Sequence, residues 1–233
     1  MTLTSRIALP GILLAGLLSG CSSSVTLQAL TIPSPLTEKI PVSVGLRMPA
    51  NFHNFVHEEQ VYGRDVWSID LGSSHAALFT QLFKHMFRQL TVLEADDDPK
   101  LLNIDALIEP SVDGFEFSVP NQSKTDAFAV WIRYRLKVYD SGGTLVSNWP
   151  VSSYGKSQTA SVSNSEALQR AAILAMRDAA ALMIMKLDEV TQISSLADAP
   201  APVAAPTLVP IPETNDEDDV QAVAVEGQDD ETG

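Results

Sequence analysis

The chain has a single cysteine, Cys21, and four histidines, and beyond Lys186 it has no lysine or arginine at all. One cysteine excludes an intramolecular disulfide and any metal site built from several thiolates. His53 and His57 are four residues apart, the spacing of a helical metal pair. Pro49 and the mixed polar and aromatic residues around them argue against a helix there, and His75 and His85 add no second pair at metal-ligand spacing. A glycine-rich loop carrying lysine into a helix, the mark of a phosphate cradle, is missing. So is a Gly-x-Ser-x-Gly nucleophile turn. Basic residues are scarce throughout, 15 against 29 acids for a net charge of −14, which excludes a general nucleic-acid binder with its basic face. No apolar run reaches the roughly 20 residues that span a bilayer as a helix.

The longest apolar stretch lies at the start. Met1 to Arg6 is short and polar with one positive side chain, and Ile7 through Leu18 is apolar apart from Pro10, Gly11 and Gly16. A basic start, a short apolar run and a small-residue cleavage site define a secretory signal peptide, so residues 1–20 are expected to be removed. The cleavage region, Leu17-Leu18-Ser19-Gly20-Cys21, resembles the lipobox of bacterial lipoproteins. That resemblance implies that the Cys21 thiol carries diacylglycerol and that the new amino terminus is acylated. Several acyl chains suffice for stable anchoring. Removing residues 1–20 takes away Arg6 and no acid, leaving 14 bases against 29 acids. Attachment should therefore rest on acyl chains, not on charge. In enterobacterial lipoproteins an acidic residue after the cysteine favours the inner membrane; Ser22 by that resemblance points to the outer membrane, with the protein facing the periplasm.

Residues 21–38, rich in Ser, Thr and Pro, are expected to form a flexible tether. Residues 193–233 hold five prolines and ten acids and are expected to be a disordered tail, with too little apolar surface to offset chain entropy. Between them, 39–192 reads as one domain of ordinary size. Its expected class is α+β: a mainly antiparallel sheet of four or more strands packed against two amphipathic helices, an α/β sandwich. The strands are Ile40 to Met48, an arm around Phe52 to Val61, Trp67 to Leu71, Thr91 to Leu93, Leu101 to Glu109 continuing past Pro110 to Val119, Ala127 to Tyr139, and Thr144 to Ser153. The first helix runs from His75 to Leu90 on an apolar stripe, with Ser73 or Ser74 as cap. The second starts at Ser163, where Ser163-Asn164-Ser165-Glu166 fits a capping box, and buries Leu168, Ala171, Ala172, Leu174, Ala175, Ala179, Leu182, Met183 and Leu187. Asp96-Asp97-Asp98 lacks the alternating ligands, central glycine and closing glutamate of a calcium loop and reads as a solvated turn.

No catalytic constellation, metal site or cofactor site emerges. Asp105, Glu109, Asp113 and Glu116 offer carboxylates for glycosidase-type chemistry, but strand alternation makes them a solvent face. The long strand places Arg133, Arg135 and Lys137 on the face opposite its apolar residues. They serve either to pair with acids such as Glu109 and Glu116 or as a docking face for anionic lipid, glycolipid or a protein partner.

Val44-Gly45-Leu46, Trp67 through Leu90 and Ser163 through Leu187, behind a lipobox, resemble in pattern the auxiliary lipoproteins of ABC-type lipid transport systems. The lipoprotein that partners the lipopolysaccharide translocon is similar in the same way. The resemblance covers residues 40–190 and implies a non-catalytic accessory or binding subunit in envelope transport or assembly of lipid or glycolipid. Its partners would be the membrane, through the acyl chains, and an envelope protein complex. A cell-envelope hydrolase and a purely structural tether are the alternatives.

Overall fold

The computed structural model describes residues 22–27, 38–62, 65–120, 122, 125–160 and 162–198. The elements in chain order are β1 (Ser22–Thr26), β2 (Ile40–Arg47), α1 (Ala50–His53), β3 (Val56–Val61), β4 (Asp65–Asp70), α2 (Gly72–Met86), β5 (Phe87–Leu93), β6 (Ala106–Ser118), β7 (Ala127–Asp140), β8 (Leu145–Gln158) and α3 (Asn164–Thr191). They form the expected α+β sandwich. A five-stranded sheet has the order β5-β2-β6-β7-β8, and a three-stranded sheet the order β1-β4-β3. The β6-β7-β8 half is antiparallel, whereas β2 runs parallel to both of its neighbours.

The long strand β7 sets the layers. Phe128, Val130, Ile132, Tyr134, Leu136 and Val138 are all fully buried on one face, while Trp131, Arg133 and Lys137 stand exposed on the other. Period-2 alternation puts the two sets on opposite sides. The helices and the small sheet lie on the buried side: Trp67 and Ile69 of β4 and Val25 of β1 join the same core as Phe79 of α2 and Ala175 of α3. Among the described residues no α-helix packs on the other side of the large sheet. In β6 the apolar phase changes midway, from Ala106 and Ile108 to Phe115 and Phe117, all on the core side. A register shift between Val112 and Gly114 against β7 accounts for this, because one extra residue in one strand flips the side-chain alternation.

Several expected boundaries move. The first helix ends at Met86, not Leu90: Phe87 is extended at ψ 156 and enters β5, pairing with Ile40. Phe83, Phe87 and Leu90 fit a helical stripe and a strand alike, and pairing along β2 decides. Neither Ser73 nor Ser74 caps that helix. Leu71 holds the cap position, the Asp70 carboxylate accepts the Gly72 N–H at 3.1 Å, and Ser74 Oγ donates to the Leu27 carbonyl at 2.9 Å. The strand expected from Leu101 begins at Ala106, since Pro99–Leu101 is a 3-10 turn capped by Asp98. The arm expected from Phe52 starts as a strand only at Val56, and a four-residue helix, which the local residues argued against, ends at His53.

Two domain limits also shift. Ser22–Thr26, expected as tether, is a strand paired parallel to β4, with Val25 and Leu27 buried. Residues 28–37 lie outside the described residues. At the other end Ile193 is fully buried and Ile193–Asp198 forms a 3-10 turn, with Asp188 Oδ1 accepting from Ser194 N at 2.9 Å, so order continues past 192. Residues 199–233, which hold the rest of the expected tail, lie outside the described residues.

The α3 helix follows its predicted start: Ser163 Oγ accepts the Glu166 N–H at 3.2 Å. Removing that cap by Ser163→Ala is expected to cost about 1 kcal/mol, read as a lower urea midpoint at unchanged m-value. Leu174, expected to be buried, is 43% exposed, because the helix settles on its alanines: Ala167, Ala171, Ala172, Ala175, Ala179 and Ala180 all face the sheet side. Small side chains let the helix approach closely, and Gly155 of β8 completes the fit. A Cβ there would stand 2.1 Å from the Ala171 carbonyl oxygen.

Candidate functional site

The uncovered face of the large sheet gathers the charged residues singled out in the sequence. Arg135 is engaged most tightly: Asp113 Oδ2 accepts from its Nε at 2.6 Å and its Nη2 at 2.5 Å, and Asn148 Oδ1 accepts from Nη1 at 3.2 Å. The hydrogen bond to Asp113 raises the pKa of an already strong base, with charge attraction adding to it. Arg133 is held loosely. Its one ion pair among the described residues, to Glu116, is 3.5 Å long between side chains 59% and 69% exposed, a geometry worth little in water. Lys137 sits opposite Glu109 in the register but makes no ion pair among the described residues. Glu109 pairs instead with Arg47 at 3.2 Å, and Asp105 with Arg88 at 3.5 Å. Each of the four carboxylates considered for acid–base chemistry therefore faces an arginine.

The bulge gives this face a shaped feature. A shallow pocket of about 250 Å³ is lined by Gly114, Glu116, Trp131, Ile132, Arg133, Ser152 and Ser153. A Cβ at Gly114 would meet only the Arg133 guanidinium, with Nη2 at 2.7 Å, so the arginine lies over the bare backbone there. Trp131 pairs with Tyr154 across the strands at a ring separation of 5.2 Å, and each ring is more than 40% exposed. The free edge of β8 beside it is blunted. Pro150 has no N–H to offer, and the Tyr154 N–H donates to Asp178 Oδ2 of α3 at 3.0 Å.

The four histidines are not brought together. His53 ends α1, His57 lies in β3 with Nε2 at 3.2 Å from Glu59 Oε2, and His85 is on α2. Among the described residues no cluster of three potential metal ligands forms. His75 is the group that sequence reasoning passed over. It is fully buried on α2 between Phe52, Phe55 and Tyr134, at ring separations of 5.2, 5.6 and 5.3 Å. Among the described residues neither ring nitrogen has a hydrogen-bond partner, nor does the Tyr134 hydroxyl. Burial pushes the His75 pKa down to about 3 and the Tyr134 pKa up. The signal was present: His75 stands three and four residues before Leu78 and Phe79, in phase with the apolar stripe.

Cys21 itself lies outside the described residues. Its neighbour Ser22 opens β1 in register with Val66, so the residue expected to carry lipid is joined directly to a strand of the domain. No described helix is long and apolar enough to cross a membrane.

No family model matches the chain, and neither does any curated protein. Solved structures to which it is similar include a minor lipoprotein from Acinetobacter baumannii, at 12% identity over 63% of this chain and 92% of that one, with a TM-score of 0.36. An uncharacterized lipoprotein B from Nitrosomonas europaea is similar at 11% identity over 72% of this chain and 94% of that one, TM-score 0.36. A hypothetical protein from Chlamydia trachomatis is similar at 10% identity over 64% and 97%, TM-score 0.35. Likenesses this distant assign no activity, ligand or partner.

Proposed function

We propose that this chain is a lipid-anchored lipoprotein of the bacterial outer membrane, with its domain in the periplasm. It would serve there as a non-catalytic accessory or binding subunit in the transport or assembly of lipid or glycolipid. The lipobox ending at Cys21 supplies the address. The observation that carries a binding role is the uncovered sheet face, where an acidic protein displays Arg133 and Lys137 with little or no internal neutralisation. Arg135 is committed to Asp113, so docking on this face falls to the other two. Guanidinium and ammonium groups presented this way suit phosphate on a lipid or glycolipid headgroup.

Two measurements test the reading. Metabolic labelling with palmitate should mark the wild-type chain and not Cys21→Ser, which should also keep its leader. The double variant Arg133→Glu/Lys137→Glu should fold normally, stay membrane-bound, and lose capture of the envelope complex or anionic headgroup that the wild type retains. A wild-type chain that purifies with neither partner nor lipid, or a double variant that binds as well as the wild type, overturns the binding role.

A further inference from the structure

We infer that the β3–β4 end of the small sheet rests against the bilayer, with Tyr62 lying in the lipid headgroup region beside the acylated cysteine. This rests on the lipoprotein reading above and adds to it an orientation and a second contact.

The registers set the distances. Ser22 pairs with Val66, and Val66 pairs with Gln60, so these three residues form one row across the small sheet. The next row toward the end of the sheet pairs Asp65 with Val61. Strands lie about 4.8 Å apart, so Gln60 is about 10 Å from Ser22. Tyr62 follows at the tip. Cys21 is joined to Ser22 by one peptide bond, about 3.8 Å between Cα atoms. Ser22, the residue bonded to Cys21, therefore lies within roughly 15 Å of Tyr62.

The chemistry at that tip suits an interface. Tyr62 is 58% exposed at a positive φ of 54°, a backbone position where glycine or asparagine would be less strained. Val66, in the Ser22 row, is 41% exposed. An amphipathic tyrosine ring at the boundary between hydrocarbon and water is a recurrent membrane anchor. The tip also lies at a defined end of the domain. Trp67 packs on Phe117 and Phe128, where β6 ends and β7 begins. The opposite end of the sheet holds the Asp140 to Thr144 turn, beside which Lys100 and the 84% exposed Leu101 sit.

The test uses the full chain, processed and acylated in cells and reconstituted in phosphatidylethanolamine and phosphatidylglycerol vesicles, with a photoreactive benzoylphenylalanine at position 62 or position 101. Mass spectrometry of the amino-terminal peptide reads acylation separately. Phospholipid adducts are expected at 62 and not above background at 101, and ten Gly/Ser residues inserted between Cys21 and Ser22 should largely abolish the adduct at 62. Acylated protein with no adduct at 62, or with equal adducts at both positions, overturns the inference and leaves the lipoprotein reading standing. An adduct at 62 that survives the insertion overturns the pinning by Cys21. An unacylated amino terminus overturns both.

Discussion

Gly155→Ala is expected to destabilise the domain by about 3 kcal/mol or more, a large share of the roughly 5–15 kcal/mol that holds an ordinary domain folded. The added methyl would meet the Ala171 carbonyl oxygen at 2.1 Å, the Ala175 nitrogen at 2.4 Å and the Leu174 Cβ at 2.9 Å. Non-bonded heavy atoms settle near 3.5–4.0 Å, and two of these three neighbours are backbone. No rotamer change relieves the clash, so α3 must lift off β8 by more than about 1 Å along the stretch where its alanines make the contact. Alanine's lower unfolded-state entropy offsets only about 0.4–1 kcal/mol. The control is Gly142→Ala in the β7–β8 turn, where the nearest atom is the Asp140 Oδ1 side-chain oxygen at 3.2 Å; it should shift stability by no more than about 0.5 kcal/mol. Urea unfolding of both variants reads the difference. A Gly155→Ala domain with the wild-type midpoint would show that the helix and strand are not in backbone contact there.

Where a single periodicity ran uninterrupted, the sequence was enough. From Val130 to Val138 β7 alternates buried with more exposed residues, as its sequence pattern predicts. The Ser163 cap was equally legible, because a capping box is a local chemical feature. Legibility failed where a distant strand chose between local options. Phe87 to Leu90 satisfies a helical stripe, yet β2 recruits it as an edge strand. Ser22–Thr26 carries little local pattern, and its order comes from β4, more than forty residues away in the chain. The outer-face stripe was half legible. Alternation placed Arg133, Arg135 and Lys137 on one face, but only the register and the bulge at Asp113 reveal that Arg135 is held tightly and Arg133 loosely.

The second large effect expected is an acid-labile fold traceable to one side chain. His75 has its pKa lowered from 6.5 to about 3 by burial among Phe52, Phe55 and Tyr134. None of the ion pairs among the described residues includes it. The unfolded chain takes up this proton below about pH 6.5, while the folded chain stays neutral until about pH 3. Between those values the unfolded state binds more protons, so stability falls as pH falls, by at most about 1.4 kcal/mol per pH unit. From pH 7.5 to pH 4.5 the loss assigned to His75 is about 2–3 kcal/mol. Any pH dependence that does not come from His75 is shared by a variant lacking the imidazole. His75→Leu keeps an apolar side chain in an aromatic pocket and removes the titration. Unfolding both proteins in urea at pH 7.5 and 4.5 isolates the term. The wild type should lose about 2–3 kcal/mol more than His75→Leu over that interval. Equal losses would mean that the folded state protonates His75 as readily as the unfolded chain does, and that the pocket opens to water well before the domain unfolds.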